Sequence, residues 1–309
     1  MKHIPVMLDA AIEYLAIKED GLYIDCTLGG GGHAEAVLSR LTTGRLIAFD
    51  QDPFAVEKAR ERLKPYANKL TIVERNFSEL KIALAELGIQ QVDGILYDLG
   101  VSSFHFDDPS RGFSYNHDAP LDMRMDTRQS DDARTFVNTA SEETLKTILY
   151  RYGEERFAPR IAKEIVKARQ QKPIETTFEL VAIIKQALPQ KVLSKKGHPA
   201  KQTFQALRIA LNDELKVFES SLEQAFDLLA VEGRIVVISF HSLEDRIAKQ
   251  QFKKYSTIDH PKEVLTMPTD TPDFELLHKK VIRPTEKELS ENPRAKSAKL
   301  RAIRKVTKL

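Results

Sequence analysis

Along this chain the hydrophobic positions follow two different periods. Predominantly apolar stretches of strand length occur at residues 22–26, 45–49, 70–74 and 92–97. Between them apolar residues recur every three or four positions, as at Val37, Leu38 and Leu41, which marks a helix with one face against a core. The pattern predicts a leading helix over 7–15, then strands alternating with helices that end at 41 and span 53–63 and 79–87. Pro53 falls early in its helix, where its missing N–H does no harm. Strands and helices alternating at this spacing predict right-handed crossovers and a parallel, doubly wound α/β sheet.

The alternation stops after Asp98. A polar loop runs to about residue 128, and helical patterns follow at 131–139, 142–152, 157–170 and 177–188 without strand signals between them. Residues 191–201 form a basic loop containing Pro and Gly, and 205–230 read as one long amphipathic helix. The strand pattern returns at 234–240, with a helix over 243–253 and two short strand candidates at 279–282 and 300–306. We therefore expect a core split into residues 1–106 and 205–309, the second part ending in a basic tail, with an inserted all-helical domain at 107–204 for substrate recognition. The insertion leaves from a carboxyl strand end, so it is expected to overhang the ligand crevice.

The first strand runs into Asp25-Cys26-Thr27-Leu28-Gly29-Gly30-Gly31-Gly32-His33. Four glycines are unfavourable inside a strand or helix, because each loses more backbone entropy than any other residue. Between the two elements they allow a sharp turn, close approach of a ligand, and free N–H groups at the helix start. The segment from Gly29 to Ala34 fits the loose dinucleotide pattern, which by itself also describes a structural turn. No Gly-Lys-Ser/Thr follows, which argues against a triphosphate loop. Asp25 stands just before the glycines, where it would repel a pyrophosphate and welcome a cationic amino group. The next strand ends in Asp50, about 20 residues on, a spacing suited to a carboxylate accepting ribose hydroxyls. These features favour S-adenosylmethionine; the structural alternative for Asp50 is a cap for the helix at 53.

Asp25, Asp50, Phe77 and Asp98 all fall at carboxyl strand ends, where ligands of doubly wound sheets collect. Methyl transfer from a sulfonium needs an aligned lone pair and little else. A nucleobase amine has its lone pair delocalised into the ring, and an acid accepting the amine hydrogens localises it. Asp98-Leu99-Gly100-Val101-Ser102-Ser103 offers such an acid, although it lacks the two prolines common at this place in base amino-methyltransferases. The structural alternative for Asp98 is a turn aspartate. His105 could contact the cofactor or cap a turn, and His241 follows the fifth strand. Phe113 and Tyr115 could stack on a flipped-out base or pack their loop. His33, His105 and His241 lack a close ligand spacing, so no catalytic metal is expected.

Composition adds three points. With 42% apolar residues the 309-residue chain can build a real core, and no run reaches membrane length. The opening Met1-Lys2-His3-Ile4-Pro5 has no apolar leader and Cys26 is the single cysteine, so a cytoplasmic protein without disulfides is expected. The net charge of +2 hides a division. Residues 107–133 carry seven acidic and three basic groups, 151–201 five and twelve, and 279–309 three and eleven. Two basic regions flanking an adenosine-type site favour a polyanionic substrate.

Long ordered segments carry a resemblance to one family: residues 23–33, 49–53, 93–103 and 111–115, then Pro120-Leu121-Asp122-Met123-Arg124-Met125-Asp126 and Tyr152-Gly153-Glu154-Glu155-Arg156-Phe157, with 198–208, 238–247 and Asn292-Pro293-Arg294-Ala295. Along nearly its whole length the chain resembles the bacterial small-subunit ribosomal RNA methyltransferase H family, RsmH or MraW. The resemblance implies a class I methyltransferase (Rossmann-like) sheet interrupted by a helical domain. It also implies methylation of the exocyclic N4 of a cytosine near the decoding centre of 16S ribosomal RNA. The family's cofactor positions fall on Gly31, Gly32, His33, Asp50, Phe77, Asp98 and His105. In this reading the glycine loop and His33 hold the methionine part, Asp50 the ribose and Phe77 the adenine, and Asp98 orients the amine, the cofactor or both. The expected partner is 16S ribosomal RNA within the small subunit, with no membrane; monomer and homodimer both stay open. The rival readings are a nicotinamide-dependent dehydrogenase, which Asp25 disfavours, and a non-catalytic ribosome-assembly factor that kept the fold.

Overall fold

The computed structural model describes residues 4–101, 108–258 and 271–306. The chain packs as two units, Met1–Gly100 with Leu215–Leu309, and Val101–Glu214.

The first unit is a seven-stranded sheet with helices. Its strands are β1 (Leu22–Asp25), β2 (Arg45–Phe49), β3 (Leu70–Val73), β4 (Val92–Asp98), β5 (Leu229–Ser239), β6 (Phe274–Leu276) and β7 (Lys299–Lys305). They lie in the order β3-β2-β1-β4-β5-β7-β6. The first five are parallel, and β7 runs antiparallel to both β5 and β6. The pleat sends alternate residues to opposite faces. Ile24, Ile47, Phe49, Ile95, Tyr97, Ile235 and Val237 enter one core cluster. Their neighbours Tyr23, Leu46, Ala48, Leu96, Val236 and Ile238 enter another. Both faces are covered, which is why these strands read as mainly apolar rather than as alternating apolar and polar residues.

Two boundaries differ from the sequence pattern. β5 starts at Leu229 rather than 234, because a register shift after the Val92–Leu229 pair lets the segment through Gly233 bulge out, with Glu232 at φ 66°. The edge strand β6 lies at Phe274–Leu276 instead of 279–282, and Ile282 makes only a single bridge to Leu300. Burial explains the choice: Phe274 is closed off from solvent and packs edge-on against Phe226 and Tyr255.

The second unit packs the helices Ala133–Thr139, Glu142–Gly153, Ala158–Arg169, Thr177–Ala187 and Lys201–Leu211 around a core that includes Leu145, Leu149, Ile161, Ile165, Leu180, Ile184 and Leu207. Asp132, Ser141 and Thr176 cap three of these helices through side-chain oxygens. The helix expected over 205–230 is two, Lys201–Leu211 and Glu214–Leu228. The buried Asn212 amide donates to the Met123 carbonyl at 2.9 Å and accepts the Met125 N–H at 2.9 Å. Asp213 then turns left-handed at φ 49°, a conformation Asp tolerates better than most residues. Among the described residues no helix is long and apolar enough to cross a membrane.

Candidate functional site

β1 pairs with β2 on one side and β4 on the other, so the strand order reverses at its carboxyl end. That reversal is where a doubly wound sheet opens a crevice. The glycine loop leaves β1 there, with Gly29 at φ 47° and Gly31 at φ 75°, values that side chains rarely adopt. Gly32 is required for a different reason: a Cβ on it would lie 2.3 Å from Cγ of the buried Pro5. His33 follows in the helix Gly32–Leu38 and is buried.

Asp50 is not the helix cap. Asp52 caps the helix Pro53–Arg62 by accepting the Phe54 N–H at 3.1 Å. The Asp50 carboxylate instead accepts the N–H of Gly29 at 2.8 Å and of Asp52 at 2.9 Å. It thereby ties the glycine loop to the end of β2. Each of its oxygens has a second lone pair, so accepting further hydroxyls stays within its capacity. Next to it, the Gln51 side-chain oxygen accepts from the Asn76 amide at 2.7 Å, and Asn76 accepts the Ser78 N–H at 2.8 Å. This pins the turn carrying Phe77, whose half-buried ring meets Tyr97 edge-on at 5.8 Å between centroids.

The electrostatics concentrate at the ends of β1 and β4. Asp25 is 1% exposed; its Oδ1 accepts the Thr27 N–H at 3.0 Å, while its Oδ2 is buried without a partner. Burial, reinforced by the negative charge of Asp50, pushes its carboxyl up to about 7. The Thr27 hydroxyl accepts the N–H of Asp98 at 2.7 Å, joining the two strand ends. Asp98 keeps a quarter of its side-chain surface open, with Oδ2 3.4 Å from Nδ1 of His33 and Oδ1 buried without a partner. Burial first, then Asp25 and Glu244, raise the Asp98 carboxyl well above the usual range.

At the end of β5 the buried Glu244 accepts the N–H groups of Phe240 at 2.7 Å and His241 at 3.2 Å. His241 serves as N-cap of the helix Ser242–Tyr255, in a capping box with Glu244. The spacing His241-x-x-Glu244 ahead of a helical stripe follows the Ser/Thr-x-x-Glu capping pattern with His in the cap place. Thr27, two residues after Asp25, and Asn76, directly before Phe77, are further site-building residues that the sequence reading did not single out. His105, Ser102 and Ser103 lie outside the described residues. Phe113 is buried in the helical unit's core, while Tyr115 stacks on His198 at 4.4 Å and meets Phe204 edge-on, so both serve to pack their loop.

The chain's own geometry fits S-adenosylmethionine, whose sulfonium and ammonium carry positive charge. Two buried carboxylate oxygens without partners, on Asp25 and Asp98, call for a cation, and the glycine loop leaves backbone close to them. Among solved structures, an rRNA-methylase from Clostridium thermocellum is 12% identical, with 98% of this chain and 100% of that one covered at a TM-score of 0.47. A methyltransferase from Streptococcus mutans in complex with SAH is 11% identical, with 98% and 100% covered at 0.44. An rRNA methylase from Streptococcus thermophilus is 12% identical, with 97% and 94% covered at 0.43. The deciding comparison is with families rather than with these distant likenesses: the model of the MraW methylase family matches residues 1–306, so the chain belongs to that family of methyltransferases and its methyl donor is S-adenosylmethionine.

Proposed function

We propose that this methyltransferase acts on ribosomal RNA, at the exocyclic N4 of a cytosine near the decoding centre of the 16S molecule, within the small ribosomal subunit. The family match over nearly the whole chain supports the RNA substrate. The observation that carries the chemistry is Asp98, a strand-end acid with one buried oxygen unpartnered and the other facing His33.

When bound, S-adenosylmethionine supplies an electrophilic methyl group. Gly31, Gly32 and His33 are proposed to hold its methionine part, Asp50 the ribose hydroxyls and Phe77 an edge of the adenine; His105 is retained from the resemblance. Asp98 accepts a hydrogen of the target amine, which draws the nitrogen lone pair out of ring conjugation and receives the proton that N4 must lose after it gains the methyl group. His33 stands beside Asp98 and keeps its carboxylate oriented. The helical segment 107–204 and the basic tail are proposed to recognise RNA, and Arg156, Lys195, Lys196 and Arg294 are exposed charges suited to phosphates.

The test is methyl transfer from labelled S-adenosylmethionine to free 16S RNA and to isolated small subunits, with the product nucleoside identified by mass spectrometry. N4-methylcytidine at one position is expected. Transfer to neither substrate would favour an assembly factor that has lost catalysis, and a different methylated nucleoside would overturn the N4 assignment.

A further inference from the structure

Asp25 is sealed from solvent at the end of β1, and among the described residues no cation pairs with it. It is 1% exposed, Oδ2 has no hydrogen-bond partner, and Oδ1 receives only the Thr27 N–H and hydroxyl. The groups facing it are themselves acidic. Asp50 approaches from the end of β2 and Asp98 from the end of β4, and Glu244 lies beyond Asp98. His33, in the helix that follows the glycine loop, pairs with Asp98. A buried carboxylate in such company either holds a proton or meets a cation. Asp98 differs, because a quarter of its side chain is open and His33 lies at 3.4 Å.

We propose that Asp25 is a further cofactor-binding residue that selects a cationic ligand by exchange: its carboxyl keeps a proton in the ligand-free protein, and the ammonium or sulfonium of S-adenosylmethionine takes that proton's place. The acid becomes a carboxylate paired with the ligand's charge, and the proton passes to solvent, so charge balances. The inference rests on S-adenosylmethionine being the ligand of this cluster. Its consequence is specificity: a neutral nucleoside must leave Asp25 protonated and gains nothing from it. Burial of Asp25 and its position near 7 place the exchange in a readily measured range.

Calorimetric titration at pH 6.5 in two buffers of different ionisation enthalpy counts the protons released. With S-adenosylmethionine roughly three-quarters of a proton is expected at this pH, and affinity should weaken toward about tenfold per pH unit below pH 7. Asp25→Asn keeps the acceptor for the Thr27 N–H but cannot ionise, so release should vanish and the affinity should become flat with pH. S-adenosylhomocysteine and methylthioadenosine separate the charges. Release with both amino-acid ligands assigns the ammonium, and release with S-adenosylmethionine alone assigns the sulfonium. Binding of S-adenosylmethionine without proton release, release persisting in Asp25→Asn, or release on binding methylthioadenosine would each overturn the exchange. Absence of any S-adenosylmethionine binding would instead strike the cofactor itself. Should Asp25→Asn fail to fold, the two-buffer experiment on the unaltered protein decides alone.

Discussion

His33 and Asp98 meet with ring Nδ1 3.4 Å from carboxylate Oδ2. The other ring nitrogen, Nε2, lies 3.0 Å from the carbonyl oxygen of Val6. A carbonyl only accepts, so Nε2 carries a hydrogen. Nδ1 is left facing the Asp98 carboxylate. Together the two contacts tie the N-terminal segment to the tip of β4.

Asp98→Asn keeps the side chain's size and one acceptor but removes the charge. If Asp98 receives the amine's hydrogen, single-turnover transfer at saturating S-adenosylmethionine should fall by about 10²–10⁴-fold. RNA affinity should change little, because phosphate contacts supply most of it. A wild-type rate at saturating cofactor would leave Asp98 as a binding residue only.

Asp50→Ala removes the acceptor for two backbone N–H groups as well as for ribose. Cofactor affinity should drop by about 1.5–3 kcal/mol, as for hydrogen bonds to a charged group. Circular dichroism should keep the fold's signal, because the strands on either side are anchored by their own buried residues. Calorimetry showing unchanged affinity would refute the ribose assignment.

Gly32→Ala places a Cβ against the buried Pro5 ring, whose Cγ lies 2.3 Å away. Overpacking of this kind destabilises by roughly 1–3 kcal/mol. The melting temperature should fall, and Pro5→Ala, which removes that Cγ, should restore part of it. If Pro5→Ala restores nothing, the contact with Pro5 does not explain the glycine.

The exposed basic residues carry an ionic prediction. Neutralising Arg156, Lys195, Lys196 or Arg294 should reduce the slope of log affinity for single-stranded RNA against log salt by roughly 0.7 per lost contact. S-adenosylmethionine affinity should not move. An unaltered slope in all four variants would make these charges a solvated surface.

Ligand-free stability should depend on Asp25. Its carboxyl is raised from 3.8 to about 7 by burial, so the folded protein holds the proton more tightly than the unfolded chain. Between those limits the folded state binds more protons, and stability falls as pH rises, by up to about 1.4 kcal/mol per unit from this group. Above the upper limit the loss is complete. Asp25→Asn should therefore melt higher than the unaltered protein at pH 8, with the gap closing toward pH 4. A gap that does not vary with pH would remove ionisation of Asp25 as its cause.

Local pattern determined the elements, because strand and helix periods depend on neighbours a few residues away. It placed Asp25, Asp50 and Asp98 at strand ends and set four parallel strands around the glycine loop, since mainly apolar strands without alternation suit a sheet covered on both faces. Partnerships between distant residues needed the tertiary structure. Nothing near Gly32 in the chain announces Pro5, and nothing near Asp50 shows that its carboxylate holds Gly29 while Asp52 caps the helix. The break at Asn212 is of the same kind: its amide is taken by Met123 and Met125, far away in sequence, so a helical stripe that looks continuous ends there. The pairing of His33 with Asp98, and the lack of a cation paired with Asp25 among the described residues, also arise only when strand ends separated along the chain are brought side by side. Hydrogen bonds and buried charge act over a few ångströms of space, whatever the distance along the chain.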